Sequence, residues 1–199
     1  QTFGATVVGD DRATLRSVID DQLMRADLII TTGGLSHGSG NTVREALSPL
    51  GTIRFDQIAA LPGTMMGVGT VSADAVSGFK EDDNAATPIF CLPGDPVAAQ
   101  VCFEVYVRPA LRKMQGWKTL NRASISAALT ERLSSPAGVR EFVRVRVTGD
   151  PKSGYEAWTL GEPRATWLSA MASSNALAVI PEEVTEVPAG TVLPCMLLD

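Results

Sequence analysis

The residues of this chain best placed to do chemistry lie in Asp27-Leu28-Ile29-Ile30-Thr31-Thr32-Gly33-Gly34-Leu35-Ser36-His37-Gly38-Ser39-Gly40-Asn41. A short apolar run ends in two threonines, a Gly-Gly pair and two further glycines, and then passes into a helical pattern near Thr42. Glycine tolerates positive φ and lets a ligand approach the main chain, so such a loop presents backbone N–H groups. A helix start adds its own unpaired N–H groups and positive dipole end. Thr32, Gly33, Gly34, Ser36 and Gly38 are therefore candidates for an anion cradle, most simply for phosphate. The alternative is a tight strand-to-helix turn that binds nothing. Asn41 carries two readings, a site residue or the helix N-cap that Asn suits well. His37 is the only histidine, and it reads either as a phosphate contact or as an exposed loop residue.

A second junction of the same kind is Phe90-Cys91-Leu92-Pro93-Gly94-Asp95-Pro96-Val97-Ala98-Ala99. Pro93 and Pro96 stiffen the turn, and Gly94 permits close backbone approach. Proline suits the first turn of a helix and leaves later amides free. In open α/β sheets ligands bind outside the carboxyl ends of the strands, so two such loops on one edge point to a ligand site. Asp95 reads either as a metal-binding carboxylate or as the N-cap of the helix opened by Pro96.

The elements that must carry these loops are read from periodicity. Residues 12–25 are helical, with Leu15, Val18, Ile19, Leu23 and Met24 at helical spacing. Strand patterns cover 5–8, 28–31, 67–71 and 88–92, and residues 53–60 are extended. Thr42 to Glu45 has the form of a capping box, and its helix should end near Gly51. Residues 81–84 read as a polar turn. Residues 97–115 read as one long helix with Val101, Val105, Leu111 and Met114 toward the core and a kink or a break at Pro109. From residue 119 short segments rich in Val, Thr and Leu predict a small all-β domain. Within it 139–148 alternates, so Arg144 and Arg146 are expected on the solvent face, as are Arg108 and Arg112 on the helix. The expected fold is α/β, a three-layer domain with a mostly parallel sheet over 1–118, then a barrel-like β-domain over 119–199.

Composition narrows the partners. With 45% hydrophobic and 20% charged residues the chain can build a core, and its net charge of −5 without a Lys/Arg cluster argues against nucleic acid. No apolar run approaches the ~20 residues of a membrane span. Cys91, Cys102 and Cys195 lack metal-ligand spacing and read as buried thiols of a reducing, cytoplasmic protein.

The two glycine loops, the helix ending Arg108-Pro109-Ala110-Leu111-Arg112-Lys113-Met114-Gln115-Gly116, and in the second half Gly138-Val139-Arg140-Glu141-Phe142-Val143-Arg144-Val145 and the segment 168–181 occur in an order that resembles the MoeA-type molybdopterin molybdenumtransferases, which include the E domain of gephyrin. The resemblance implies a molybdopterin-binding α/β domain whose first strand lies outside this chain, a C-terminal β-domain, and two further N-terminal domains elsewhere. It also implies a homodimer that takes molybdopterin or its adenylate with molybdate, assisted in many members by Mg2+. By that resemblance Gly33, Gly34, Ser36 and Gly38 form one wall of the site and Pro93, Gly94, Asp95 and Pro96 the other.

Three positions depart from the family pattern. Asn41 stands where the family has Asp; Leu61-Pro62-Gly63-Thr64-Met65 stands for a segment with two lysines; and Asp95 stands where Asn is usual. An amide supplies no charge to a magnesium ion, whereas Asp95 could replace the lost carboxylate. In the β-domain Ala165-Thr166-Trp167 and Ser173 replace family residues, while Arg140 is retained. Three readings result: a divergent insertase, a non-catalytic molybdopterin carrier on the same frame, or an α/β scaffold turned to nucleotide binding.

Overall fold

The computed structural model describes residues 1–4, 7–35, 41–50, 52–72, 86–162, 164 and 168–198. Their contacts divide the chain into two compact units, 1–58 with 65–95, and 59–64 with 96–199.

In the first unit α1 (Arg12–Leu23) precedes β1 (Ile29–Thr32), α2 (Thr42–Leu47), a 3-10 turn (Ser48–Leu50), β2 (Ile53–Gln57), β4 (Met65–Val71) and β5 (Thr87–Leu92). β3 (Ala60–Leu61) lies between β2 and β4 in sequence and belongs to the second unit. α1 starts where Asp11 accepts the Thr14 N–H at 2.7 Å, so a real N-cap sets the boundary. Leu15 and Ile19, one turn apart, are its buried residues, and with Val43, Ala46 and Leu47 of α2 they pack on Ile29, Ile53, Val71 and Ile89 of the sheet. Arg16 donates to the Ala46 carbonyl at 2.9 and 3.1 Å and ties α1 to the end of α2.

The α/β class is as expected, but strand direction differs from a mostly parallel sheet. The order is β1-β5-β4-β2, with only β1 and β5 parallel among the described strands. Apolar alternation reports burial, which neighbours of either direction provide equally. Val7 and Val8 are not in a strand, and Val7 is fully exposed. The segment 81–84 lies outside the described residues.

The second unit contains α3 (Pro96–Cys102), a π-helical turn (Phe103–Val107), α4 (Arg108–Met114), β6 (Ser124–Leu129), β7 (Leu133–Ser134), β8 (Arg140–Asp150), β9 (Gly154–Thr159), α5 (Leu168–Ser173), β10 (Ala176–Ile180), β11 (Glu186–Val187) and β12 (Val192–Leu197). Strands β10-β12-β6-β9-β8 pair in that order and β8 pairs back to β10, which closes a five-stranded barrel. Val143, Val145 and Val147 of β8 face its core with Leu129, Ile180 and Leu193. β3 adds in parallel to the start of β8, Ala60 opposite Arg140 and Leu61 opposite Glu141.

Pro109 shapes the long helix without a simple kink. It has no N–H for the Val105 carbonyl, and the chain takes one wider turn in which Arg108 N–H reaches Phe103 O. The extra residue rotates the helix beyond it. Val101 is buried as expected, but Glu104 and Val107 face inward in place of Val105, and α4 buries none of its residues. Met114 is half exposed. The buried Glu104 is met by Arg122, bidentate at 2.8 and 3.0 Å, and by Arg108 at 3.7 Å. Arg108 is therefore an ion-paired residue and not a solvated one, and Arg112 stacks over Trp117 at 4.4 Å. Arg144, expected in solvent, is 2% exposed and donates to the Glu162 carbonyl at 3.1 Å. Alternation shows that Phe142 and Arg144 share a side of β8; both are buried because that side too is covered.

Candidate functional site

The parallel register Ile29 to Ile89, Ile30 to Phe90, Thr31 to Cys91 and Thr32 to Leu92 places the carboxyl ends of β1 and β5 side by side. The two glycine loops therefore leave from adjacent points on one sheet edge. The Gly33 N–H donates to Leu92 O at 3.0 Å, extending the ladder one residue into the loop. Gly33 and Gly34 hold φ of +87° and +68°, which side-chain-bearing residues rarely adopt. A Cβ added at Gly94 would stand 3.2 Å from Gly33 Cα, so the loops touch backbone to backbone.

This contact refines the cradle. Gly33 N–H serves Leu92, whereas the N–H groups of Gly34 and Gly94 make no backbone hydrogen bond among the described residues. Gly34 also faces α2: its carbonyl accepts Arg44 N–H at 3.2 Å, and a Cβ there would lie 2.9 Å from Val43 N. Gly34→Val is consequently not a clean probe of ligand binding. It is expected to lower the melting temperature measurably as the loop is forced off α2, by about 2 kcal/mol in stability. Thr32 is exposed at the end of β1. Ser36, His37 and Gly38 lie outside the described residues.

Asn41 occupies the N-cap position of α2 at φ −104°, ψ 25°, but its side chain makes no capping bond. The capping box does not form either. Thr42 Oγ1 donates to Asp10 at 3.1 Å, and Glu45 pairs with Arg12 at 3.5 Å. Since nothing is lost from the cap, Asn41→Ala is expected to change stability by less than about 0.5 kcal/mol, against the ~1 kcal/mol of a working cap; thermal melting checks it. α2 is six residues long, so the site depends on the loop N–H groups more than on a helix dipole. Pro93 and Gly94 follow β5, and Asp95 immediately precedes Pro96, the first residue of α3.

Beneath the loops Thr31 Oγ1 is buried without a nitrogen or oxygen partner, opposite the Cys91 thiol. Burial pushes the Cys91 pKa up to about 11, partly offset by the Thr31 hydroxyl. The thiol stays protonated near neutral pH and is no nucleophile. All three cysteines are buried and free. Among the described residues no three His, Cys, Asp or Glu side chains converge as metal ligands, and no helix is long and apolar enough to cross a membrane. In the second unit Arg140 is held by Glu182 at 3.0 Å.

A family model described as a probable molybdopterin binding domain matches residues 2–113, and one for the MoeA C-terminal region (domain IV) matches 126–198. This chain belongs to the MoeA-type family. It is 39% identical over 201 residues to molybdopterin molybdenumtransferase 2 of Mycobacterium tuberculosis, covering 96% of this chain and 46% of that protein. Gephyrin of Dictyostelium discoideum is 27% identical across 96% of this chain and 28% of its own length. The chain thus spans less than half the length of these relatives. In fold it is similar to the MoeA protein of Pyrococcus horikoshii, with a TM-score of 0.73 at 20% identity over 96% of this chain and 42% of that one. The barrel found here is the portion matched by the MoeA C-terminal model. The convergence of the two loops required the β1–β5 pairing, which no local pattern in the sequence reports.

Proposed function

We propose that this chain is the molybdopterin-binding domain (1–118) and C-terminal β-domain (119–199) of a molybdopterin molybdenumtransferase acting in molybdenum cofactor biosynthesis. The observation that carries the reading is the backbone contact of Gly33 with Gly94 at the ends of neighbouring parallel strands. In a chain of this family, that edge is where an anionic pterin substrate would meet main-chain donors instead of side chains.

On this reading Thr32, Gly33, Gly34, Ser36, Gly38, Pro93, Gly94 and Pro96 frame the terminal phosphate of molybdopterin or its adenylate. Gly34 and Gly94 N–H donate to it, while the glycines exclude side chains that would hold it away. Asn41 offers an uncharged amide at the rim. Asp95 is the carboxylate that would hold a magnesium ion, which often takes one or two protein carboxylates together with substrate phosphates. Bound there, the ion would neutralise phosphate charge. Molybdate is the second substrate. The resemblance also supports a homodimer. Three buried free thiols accord with a reducing, cytoplasmic setting.

The test is molybdate-dependent cofactor formation by the full-length parent protein, supplied with adenylylated molybdopterin and magnesium. Turnover that falls strongly in Asp95→Asn is the expected result. Pterin binding without turnover would make the protein a carrier, and absence of both would remove the assignment.

A further inference from the structure

Between Glu104 and Glu131 the sequence has no acidic residue, yet it carries Arg108, Arg112, Lys113, Lys118 and Arg122 in a chain of net charge −5. α4 and the turn after it bring these cations together. Glu104 is the carboxylate among them, and Arg122 already engages it at 2.8 Å, with Arg108 farther off at 3.7 Å. Arg108 is crowded enough by burial, Arg122 and Arg112 that its pKa is lowered. Lys113 and Lys118 are exposed and take part in no ion pair among the described residues. In their midst stands Trp117, 55% exposed, under the Arg112 guanidinium, with its indole N–H on Gln115 at 3.1 Å. Met114, three residues before it, is 48% exposed, and no residue of α4 is buried.

We propose that the surface formed by Arg112, Lys113, Met114, Trp117 and Lys118 docks an acidic segment of a protein partner, whose carboxylates meet the cations while an apolar side chain lies against Trp117 and Met114. Clustered like charges repel one another, and this cluster stands opposite in sign to its own chain, so a counter-charge brought from outside is favoured. Arginine and tryptophan are the residue types that anchor interfaces. The cations lie within one short helix and the turn after it, with Arg112 stacked on Trp117, too short a segment to follow a long phosphate backbone. The net negative chain further disfavours a long polyanion. The inference is independent of the molybdopterin reading, because no residue in it belongs to the proposed pterin site.

The experiment uses the full-length parent and fluorescence anisotropy with three labelled probes: a twelve-residue glutamate peptide containing two leucines, the same peptide with serine at those leucines, and single-stranded oligothymidylate of equal charge. The leucine peptide is expected to bind best, more weakly as salt rises. Lys113→Glu with Lys118→Glu should lower its affinity at least about tenfold, because both charges reverse at the contact. Trp117→Ala should lower it about tenfold, the loss typical of an aromatic anchor. Melting temperature and cofactor formation should stay unchanged in both variants. The proposal is overturned if the leucine peptide does not bind, if either variant binds it as wild type does, or if the serine peptide or the oligonucleotide binds as tightly.

Discussion

Glu104→Ala lowers the stability of this protein by about 3 kcal/mol, the size seen when one partner of a buried ion pair is removed. Glu104 is 9% exposed, and the Arg122 side chain that grips it is 18% exposed. Without the carboxylate, a charged guanidinium largely out of water loses two hydrogen bonds of 2.8 and 3.0 Å. Arg108 loses its acidic neighbour in the same step. A thermal melt reads the change as a drop of roughly 10 °C for a chain of this size. The double variant Glu104→Ala with Arg122→Met should recover part of it, because removing both partners leaves no Arg122 charge buried without its carboxylate. A melt within about 2 °C of wild type for the single variant, a window set by the ~2–4 °C per kcal/mol of such chains, would show that water still reaches Arg122.

Gly94→Val is expected to reduce molybdopterin affinity by about a hundredfold, the scale of a ~1 Å misplacement in a positioned site. The first added carbon stands 3.2 Å from Gly33 Cα, and the valine branches add to the crowding. Gly33 cannot yield easily, because its N–H is bonded to Leu92 O at 3.0 Å and its φ of +87° fits a turn of one shape. The loops must therefore separate. Gly94 is itself exposed and contributes nothing to the core, so melting should change little. This distinguishes it from Gly34→Val, where the added side chain runs into α2. Titration of molybdopterin into the full-length variant, beside its melt, checks the expectation. Undiminished affinity in a folded Gly94→Val protein would take the second loop out of the site.

Much of this was legible in the order of residues. The spacing of Leu15 and Ile19, the apolar run ending at Thr32, the Gly33-Gly34 and Pro93-Gly94 junctions and the alternation through Val143, Val145 and Val147 each reflect a local rule of burial or backbone freedom. Local rules leave their mark on neighbouring residues, and together these marks placed the α/β portion, the β portion and the two loops. Other features depended on partners distant in sequence. Whether β1 meets β5 in parallel while β4 and β2 run the other way is set by chain crossings that apolar pattern does not encode. The burial of Glu104 is offset by Arg122, far along the chain, whose guanidinium meets its carboxylate. The burial of Arg144 depends on what lies over that side of β8. Sequence determined which residues could form each element and each loop. Tertiary structure decided which of them meet, because a contact such as Gly33 with Gly94 is a property of two segments at once, and neither carries it alone.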